Sequence, residues 1–311
     1  MNKRSNFPKI TGLIVAPFTP MNSDFNLNLR LIETQANLFK MNRLKGVFIC
    51  GTTGESLSLT VAERMKIAEE WGRFTDKDFK LIVHVGHNCL EEAKKLANHA
   101  QKIGATAIGT MPPTFFKPAS LKALVEWCYE ISSAAPDLPL YYYHIPTMTG
   151  LTFLMHEFLF QVENKIPNLA GIKFTHDNLL DLGFCLTFQN GKYDILFGRD
   201  EILLSALVCG VKGAVGSFYN FLAPTFIDII KYFNENKLDE AKKLQSWIQK
   251  FTKIYIRFGN NVAIGKAIMK ITGLDCGPVR LPLKTLSNDQ YFELKKELDA
   301  INFRKYAIKI E

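Results

Sequence analysis

The sequence lacks the features of a membrane, secreted or metal-binding protein. No stretch of about 18 uncharged apolar residues occurs in it, so we expect no membrane span. Residues 1–9 are polar and have no apolar run of signal-peptide length, so we expect no secretion. The six cysteines lie far apart and include no C-x-x-C pair, which argues against a zinc or dithiol redox site. These absences predict a cytoplasmic protein with reduced thiols and no metal.

The sequence also has little charge of one sign in any one place. The net charge of +8 is spread along the chain, and the lysine pairs at 242–243 and 295–296 lie on helical patterns with glutamates. We therefore expect no nucleic-acid partner. Hydrophobic residues make up 47% of the chain and charged residues 22%, which excludes disordered, collagen-like and coiled-coil chains.

Short apolar runs alternate with longer amphipathic segments along most of the chain. Nearly continuous hydrophobicity, as in LIVHV and LPLYYYH, is typical of buried parallel strands. Eight such strands are predicted at residues 13–16, 46–50, 81–85, 107–110, 140–144, 171–174, 194–198 and 213–217. The segments between them, such as 61–71, 90–103 and 121–131, have apolar residues at helical spacing.

Eight strand–helix units predict an α/β fold of the (β/α)₈ or TIM barrel type. A doubly wound sheet has the same alternation, but polar residues at the strand ends favour the barrel. Further helical patterns follow at 237–257, 262–271 and 289–298, with no linker rich in Pro, Gly or Ser. We expect a barrel over residues 1–221 and, over 222–311, the last barrel helix with an extension packed on the barrel.

Two segments resemble a phosphate-binding loop and a metal site but lack the spacing that each requires. The segment GNNVAIGK at 259–266 has one residue too many between its glycines for a phosphate loop, and we interpret it as the start of a helix. His84 and His87 are three residues apart across a strand end, so alternation points them to opposite faces and argues against a shared metal.

A lysine lies inside an apolar run of the sixth predicted strand. Lys173 occurs in the segment LAGIKFT, where a charged ammonium is costly unless it is paired, neutral or used covalently. A lysine removed from water in this way can attack a carbonyl and form a Schiff base. The alternative is a strand-end lysine that reaches solvent or a buried carboxylate.

Three tyrosines end the fifth predicted strand, in the motif YYYHIP at 141–146. Alternation places Tyr141 and Tyr143 on the same face, and Tyr143 is nearer the carboxyl end, where a barrel enzyme builds its site. Its phenol could pass a proton there. The alternative is that these rings fill the barrel and its helix interface.

The loops after other strands carry further polar groups. In GTTGE at 51–55, two glycines and two threonine hydroxyls could present donors to a small carboxylate, or form an ordinary turn. The carboxylates of GRDE at 198–201 suit sugar hydroxyls, or could begin a helix favourably. Gly216 and Ser217 end the eighth predicted strand. Polar groups thus follow five different strands, which favours an enzyme site at one end of a barrel.

In this order, GTTGE, YYYHIP, GIKFT and GRDE resemble the motifs of the N-acetylneuraminate lyase and dihydrodipicolinate synthase superfamily of pyruvate-dependent class I aldolases. The resemblance runs from Pro8 to the C-terminal helices. Segments such as FGRDEILLSALVCGVKGAVGS are similar to the lyase branch. The resemblance implies a homotetramer that reversibly cleaves the sialic acid N-acetylneuraminate to N-acetylmannosamine and pyruvate.

The resemblance also implies roles for single residues. Lys173 would form a covalent imine with the C2 carbonyl of the substrate, without any separate cofactor, and Tyr143 would shuttle the proton. Thr52 and Thr53, with the loop amides, would hold the pyruvate carboxylate. The sugar portion would be lined by Thr175, Gly198, Asp200, Glu201 and Ser217.

The sequence departs from the superfamily pattern in two informative places. Phe115 and Phe116 replace paired tyrosines that many members lend across a subunit interface, so the proton relay here could differ. Thr147 and Met148 follow YHIP where synthases usually carry an arginine for a second carboxylate, which favours the lyase branch. The alternatives are another pyruvate-dependent aldolase or synthase, and a barrel that binds pyruvate or sialic acid without turnover.

Overall fold

Eight parallel strands form a closed barrel in the order in which they occur along the chain, as the sequence predicts. The computed structural model describes residues 7–259 and 261–309, without the side chain of Asn261, so most of the polar N-terminus lies outside the described residues. The strands are β1 Gly12–Val15, β2 Gly46–Ile49, β3 Lys80–His84, β4 Ala107–Thr110, β5 Leu140–His144, β6 Leu169–Phe174, β7 Asp194–Phe197 and β8 Gly213–Gly216. Their bounds agree with the predicted runs to within two residues.

Helices follow the strands and form the outer layer. They are α1 Leu31–Met41, α2 Val61–Gly72, α3 Leu90–Lys102, α4 Leu121–Ser133, α5 Pro146–Thr149, α6 Met155–Val162, α7 Leu179–Thr187, α8 Leu203–Cys209 and α9 Tyr219–Asn234. Local sequence sets several of the starts: Thr60 and Glu63 form a capping box before α2, and the Ser120 side chain caps α4.

The strand side chains are divided between two cores. One fills the barrel and includes Phe48, Tyr141 and Tyr143, whereas the other lies between the sheet and the helices and includes Tyr142. The alternation predicted for the three tyrosines is therefore confirmed. At the amino end of the barrel, the buried Asp194 carboxylate accepts hydrogen bonds from the Tyr141 hydroxyl at 2.8 Å and from the Ile10 amide at 2.9 Å.

The C-terminal helices pack on the barrel. They are α10 Leu238–Arg257, α11 Asn261–Thr272, α12 Asn288–Ala300 and α13 Phe303–Tyr306, and α10 lies along α9 and α12. The proposed boundary between residues 221 and 222 falls inside α9, where Leu222 has non-helical dihedrals. The interpretation of 259–266 as a helix start is confirmed by α11. Within the described ranges, no helix is long and apolar enough to cross a membrane.

Candidate active site

An open cavity of about 270 Å³ lies at the carboxyl ends of the barrel strands, and all nine residues predicted from the sequence line it. Parallel strands in a closed barrel end at the same rim, which brings together residues far apart in the chain. The nine are Thr52 and Thr53 after β2, Tyr143 on β5, Lys173 and Thr175 on and after β6, Gly198, Asp200 and Glu201 after β7, and Ser217 after β8.

Lys173 is buried in the barrel mouth among aromatic rings. Only 4% of the residue is exposed, and its Nζ lies 3.8 Å from the centroid of the Tyr143 ring and 4.1 Å from that of Phe48. No ion pair within the described part of the chain includes Lys173. A lysine reaching solvent or held by a carboxylate is therefore not what the structure shows. Its amine faces the cavity, where a carbonyl compound would reach it.

Tyr143 is the neighbour of Lys173 in the sheet, because the two residues pair across β5 and β6. Its ring meets those of Phe48 and His84 edge-on, with centroids 5.5 and 5.8 Å away. Its hydroxyl lies 3.3 Å from the Thr52 Oγ1. The packed ring lies against the Lys173 amine and holds its hydroxyl next to the loop of Thr52, a suitable position for proton transfer.

Asp200 is a buried carboxylate in the cavity wall, and it follows β7, the strand next to that of Lys173. One oxygen, Oδ2, accepts the Phe218 amide at 2.8 Å, and the Ser217 amide and the Tyr219 hydroxyl also interact with the carboxylate, although Oδ1 has no hydrogen bond of normal geometry among the described residues. Burial raises the pKa of Asp200 to about 7, and the charge of Glu201 adds to this, whereas the Phe218 amide and Lys173 oppose it. The Asp200 carboxyl still has acceptor capacity for a ligand hydroxyl and, when protonated, could also donate to one.

Thr175 and Gly198 line the wall between the lysine and Asp200. The Thr175 Oγ1 is buried and has no partner among the described residues, so it too can bond a ligand. A Cβ built on Gly198 would overlap this hydroxyl. Gly198 is therefore required at its position because the Thr175 side chain occupies the space beside it.

The structure adds a cation that the sequence reading did not assign to the site. Arg199 lines the cavity and forms an ion pair with Glu201 at 2.8 Å. Thr147 and Met148, which stand where synthases carry an arginine, line the cavity as well. The cavity thus contains an arginine, but it comes from the end of β7 and its charge is balanced by Glu201.

Residues of the C-terminal extension complete the cavity, and no sequence motif predicted this. Thr252, Tyr255 and Ile256 of α10 and Val262 of α11 form part of its wall. Their contribution depends on how the extension packs over the barrel rim. No local sequence motif indicates that packing. Phe115 and Phe116 lie outside the cavity, with 78% and 84% of each residue exposed.

Glu55 ends the loop motif after β2, and the sequence alone does not indicate its role. Its side chain is buried and pairs with Lys266 of α11, with 2.7 Å between Oε1 and Nζ. The described residues contain no group of three or more His, Cys, Asp or Glu side chains that could hold a metal ion. The polar residues that line the cavity are one lysine, one arginine, two tyrosines, several hydroxyl residues and two carboxylates.

Comparison with known proteins agrees with this arrangement. The profile of the dihydrodipicolinate synthetase family matches residues 9–301. The chain belongs to this family. It is 42% identical over 298 residues to N-acetylneuraminate lyase A of Xenopus laevis, covering 93% of this chain and 96% of that protein.

Two solved structures are similar over nearly the full chain. The native N-acetylneuraminate lyase (sialic acid aldolase) of Aliivibrio salmonicida has a TM-score of 0.92 and 39% identity, covering 96% of this chain and 98% of that one. The N-acetylneuraminate lyase of Proteus mirabilis has a TM-score of 0.92 and 35% identity, covering 95% and 100% of the respective chains. The (β/α)₈ barrel with its helical extension is thus the fold of sialic acid aldolases.

Proposed function

We propose that this protein is a class I aldolase that reversibly cleaves N-acetylneuraminate to N-acetylmannosamine and pyruvate. The observation that carries the proposal is the buried Lys173 amine, which faces an open cavity beside the Tyr143 phenol and has no carboxylate partner within the described residues. The similarity to lyases of other organisms over nearly the full chain points to the same substrate.

In the cleavage direction, the Lys173 Nζ attacks the C2 carbonyl of the open-chain substrate, and loss of water gives a protonated imine. Tyr143 assists removal of the proton from the C4 hydroxyl, and the C3–C4 bond breaks as its electrons move into the imine. N-acetylmannosamine leaves as the aldehyde. Protonation of the enamine at C3 and hydrolysis of the imine then release pyruvate and regenerate the amine, so the reaction uses no separate cofactor.

The loop after β2 would hold the substrate carboxylate. Thr52 and Thr53 offer two hydroxyls and backbone amides to an anion. Because the Thr52 Oγ1 lies 3.3 Å from the Tyr143 hydroxyl, this threonine links the carboxylate site to the proton-transfer group. A relay from Tyr143 through Thr52 to the substrate's own carboxylate would need no second tyrosine, which fits the presence of phenylalanine at 115 and 116.

The opposite wall would bind the sugar chain. Asp200 and Thr175 both line the cavity, and each has a buried oxygen without a hydrogen bond of normal geometry among the described residues. Glu201 adds a carboxylate at the rim, and Gly198 and Ser217 lie between these groups. Hydroxyls of a polyol chain would satisfy these oxygens, which are costly to bury unpaired.

The main competing reading is a related aldolase or synthase that takes a second carboxylated substrate. Arg199 is the observation in its favour, since it brings a guanidinium into the cavity. The ion pair with Glu201 argues against it, because that carboxylate already balances the charge. Faster turnover of another 2-keto acid than of N-acetylneuraminate in a substrate panel would establish the related activity.

We also propose that the protein is a cytoplasmic homotetramer, as the resemblance implies. Phe115 and Phe116 support an interface, because two adjacent exposed phenylalanines on one loop are costly to leave in water. Light scattering coupled to gel filtration tests this. A mass near four times 35.3 kDa is expected, and a monomer would refute the assembly.

Reductive trapping tests the function. Borohydride is added with N-acetylneuraminate and, separately, with pyruvate, and the adduct is located by intact mass and peptide mapping. A reduced pyruvyl adduct on Lys173 from both compounds is expected, and Lys173→Ala should give neither adduct nor product. Adduct from pyruvate alone would indicate an aldolase for another aldehyde. Pyruvate binding without any adduct or product would indicate a barrel that binds and does not turn over.

A further inference from the structure

The loop proposed to hold the substrate carboxylate has a backbone that depends on outside support. The loop, residues 51–55, is preceded by Cys50 at φ +55° and ends with Glu55 at φ +59°, conformations that residues other than glycine rarely adopt. Two backbone hydrogen bonds close it, from the Glu55 amide to the Thr52 oxygen and from the Ser56 amide to the Gly51 oxygen. Such a loop keeps its shape only if the surrounding structure holds it.

The barrel supplies part of this support. The Thr19 hydroxyl donates to the Gly54 carbonyl at 2.8 Å, and the His84 Nδ1 donates to the Cys50 carbonyl at 2.9 Å. Burial, with the nearby Arg64 charge, keeps the pKa of His84 well below its usual range, so this ring is a neutral donor at Nδ1. These two bonds fix the backbone at the two ends of the loop.

The C-terminal extension supplies the rest through Glu55. The buried carboxylate pairs with the Lys266 ammonium of α11 at 2.7 Å and accepts the Arg280 amide at 3.0 Å. Lys266 is itself only 3% exposed and also donates to the Pro278 carbonyl at 2.7 Å. Removing one member of such a pair leaves an uncompensated buried charge, so the loop and α11 are strongly coupled.

We propose that the Glu55–Lys266 ion pair positions the substrate carboxylate site, by locking the loop of Thr52 and Thr53 onto α11. The inference rests on the proposed aldolase function and deepens it. The same helix contributes Val262 to the cavity wall, so α11 places that wall and the carboxylate loop relative to each other. Glu55 and Lys266 are positioning residues, since they act through the threonines.

The imine-forming residues and the carboxylate-binding residues lie on different elements of the barrel. Lys173 and Tyr143 lie on strands β6 and β5, whereas Thr52 and Thr53 lie on the loop. Loss of the ion pair should therefore weaken binding of a carboxylate by the loop. The Lys173 amine should still be able to form an imine. Imine formation with a ketone that has no carboxylate should be unaffected.

The test compares Lys266→Met with Lys270→Met, a matched control one turn further along α11. Lys270 has 55% of its side chain exposed and pairs with Asp275 at 2.9 Å, away from the loop. Borohydride trapping at Lys173 is measured with pyruvate and with acetone. For Lys266→Met, half-maximal trapping should require about tenfold to 100-fold more pyruvate, with the acetone concentration unchanged. Lys270→Met should match the unaltered protein with both ketones.

A charge-conserving variant strengthens the test. Lys266→Arg keeps the cation, and a cavity of about 560 Å³ beside Lys266 has room for the larger group. It should restore much of the pyruvate affinity that Lys266→Met loses. If Lys266→Met does not fold, Glu55→Gln is measured in the same way, because its amide oxygen can still accept the Arg280 amide.

Two outcomes would overturn the proposal. Unchanged pyruvate trapping in a folded Lys266→Met protein would show that the pair does not position the loop. An equal loss with acetone would show that the damage extends to Lys173 and is not specific to the carboxylate. Absence of any adduct in the unaltered protein is a different result, since it refutes the proposed aldolase and the inference that rests on it.

Discussion

Replacing Asp200 with asparagine should stabilise the protein at neutral and alkaline pH. The carboxyl ionises near 3.8 in an unfolded chain, whereas burial raises the pKa to about 7 in the folded protein. The unfolded state therefore releases its proton first as pH rises, and stability falls between these two values. The full effect, reached above pH 7, is about 4 kcal/mol. Asparagine carries no charge and avoids this loss, while its amide oxygen can still accept the Phe218 amide.

Urea unfolding followed by tryptophan fluorescence measures the effect. Between about pH 5 and about pH 8, the stability gain from Asp200→Asn should grow by about 3 kcal/mol. Asp228→Asn, on the exposed side of α9, is the matched control and should show no such growth. A gain for Asp200→Asn that is equal at both pH values would refute the assignment of a raised pKa to this carboxyl. Cleavage of N-acetylneuraminate should weaken in the same variant, because the site loses an ionisable partner for the sugar hydroxyls.

Three further predictions separate catalysis, stability and sugar binding. Tyr143→Phe should lower kcat by about 100-fold to 10,000-fold with little change in urea stability, and unchanged kcat would exclude its proton transfer. Tyr141→Phe should do the opposite: loss of its bond to Asp194 should cost about 1–3 kcal/mol in urea unfolding, while kcat is retained. Gly198→Ala should push the new methyl into Thr175 and raise KM for N-acetylneuraminate, whereas pyruvate trapping at Lys173 should persist; equal loss of both would contradict a role confined to the sugar side.

The barrel could be predicted from the sequence because its signals are local and repeated. Each strand is a short, continuous apolar run, since both faces of a parallel barrel strand are buried. Alternation predicted that Tyr141 and Tyr143 share a face, and the structure shows that this face is the barrel interior, with Tyr142 on the other side of the sheet. The exact strand ends differ by one or two residues, as at β6, because hydrogen bonding to neighbouring strands sets the ends.

The family resemblance supplied the roles of the nine candidate residues, and one rule, that strand ends in a barrel share a rim, predicted that they lie together. Their gathering in one cavity follows from fold topology and needs no knowledge of distances. The sequence could not decide between a reactive Lys173 and a lysine that reaches solvent or pairs with a carboxylate. Only the packed structure shows that its amine lies between two rings and not in an ion pair among the described residues.

The sequence by itself determined the barrel and its helical extension, because both follow from periodicity and strand order. It also determined the strand ends from which the amine, the phenol and the loop hydroxyls enter the site. The tertiary structure decided the rest. Lys266 and Glu55 are 211 positions apart, and their ion pair exists because α11 packs over the barrel rim. The α10 side chains reach the cavity because the extension packs over the barrel rim, whereas Arg199 enters it from the loop after β7. Burial, which gives Asp200 its raised pKa, is a property of the packed molecule and of no segment of the chain.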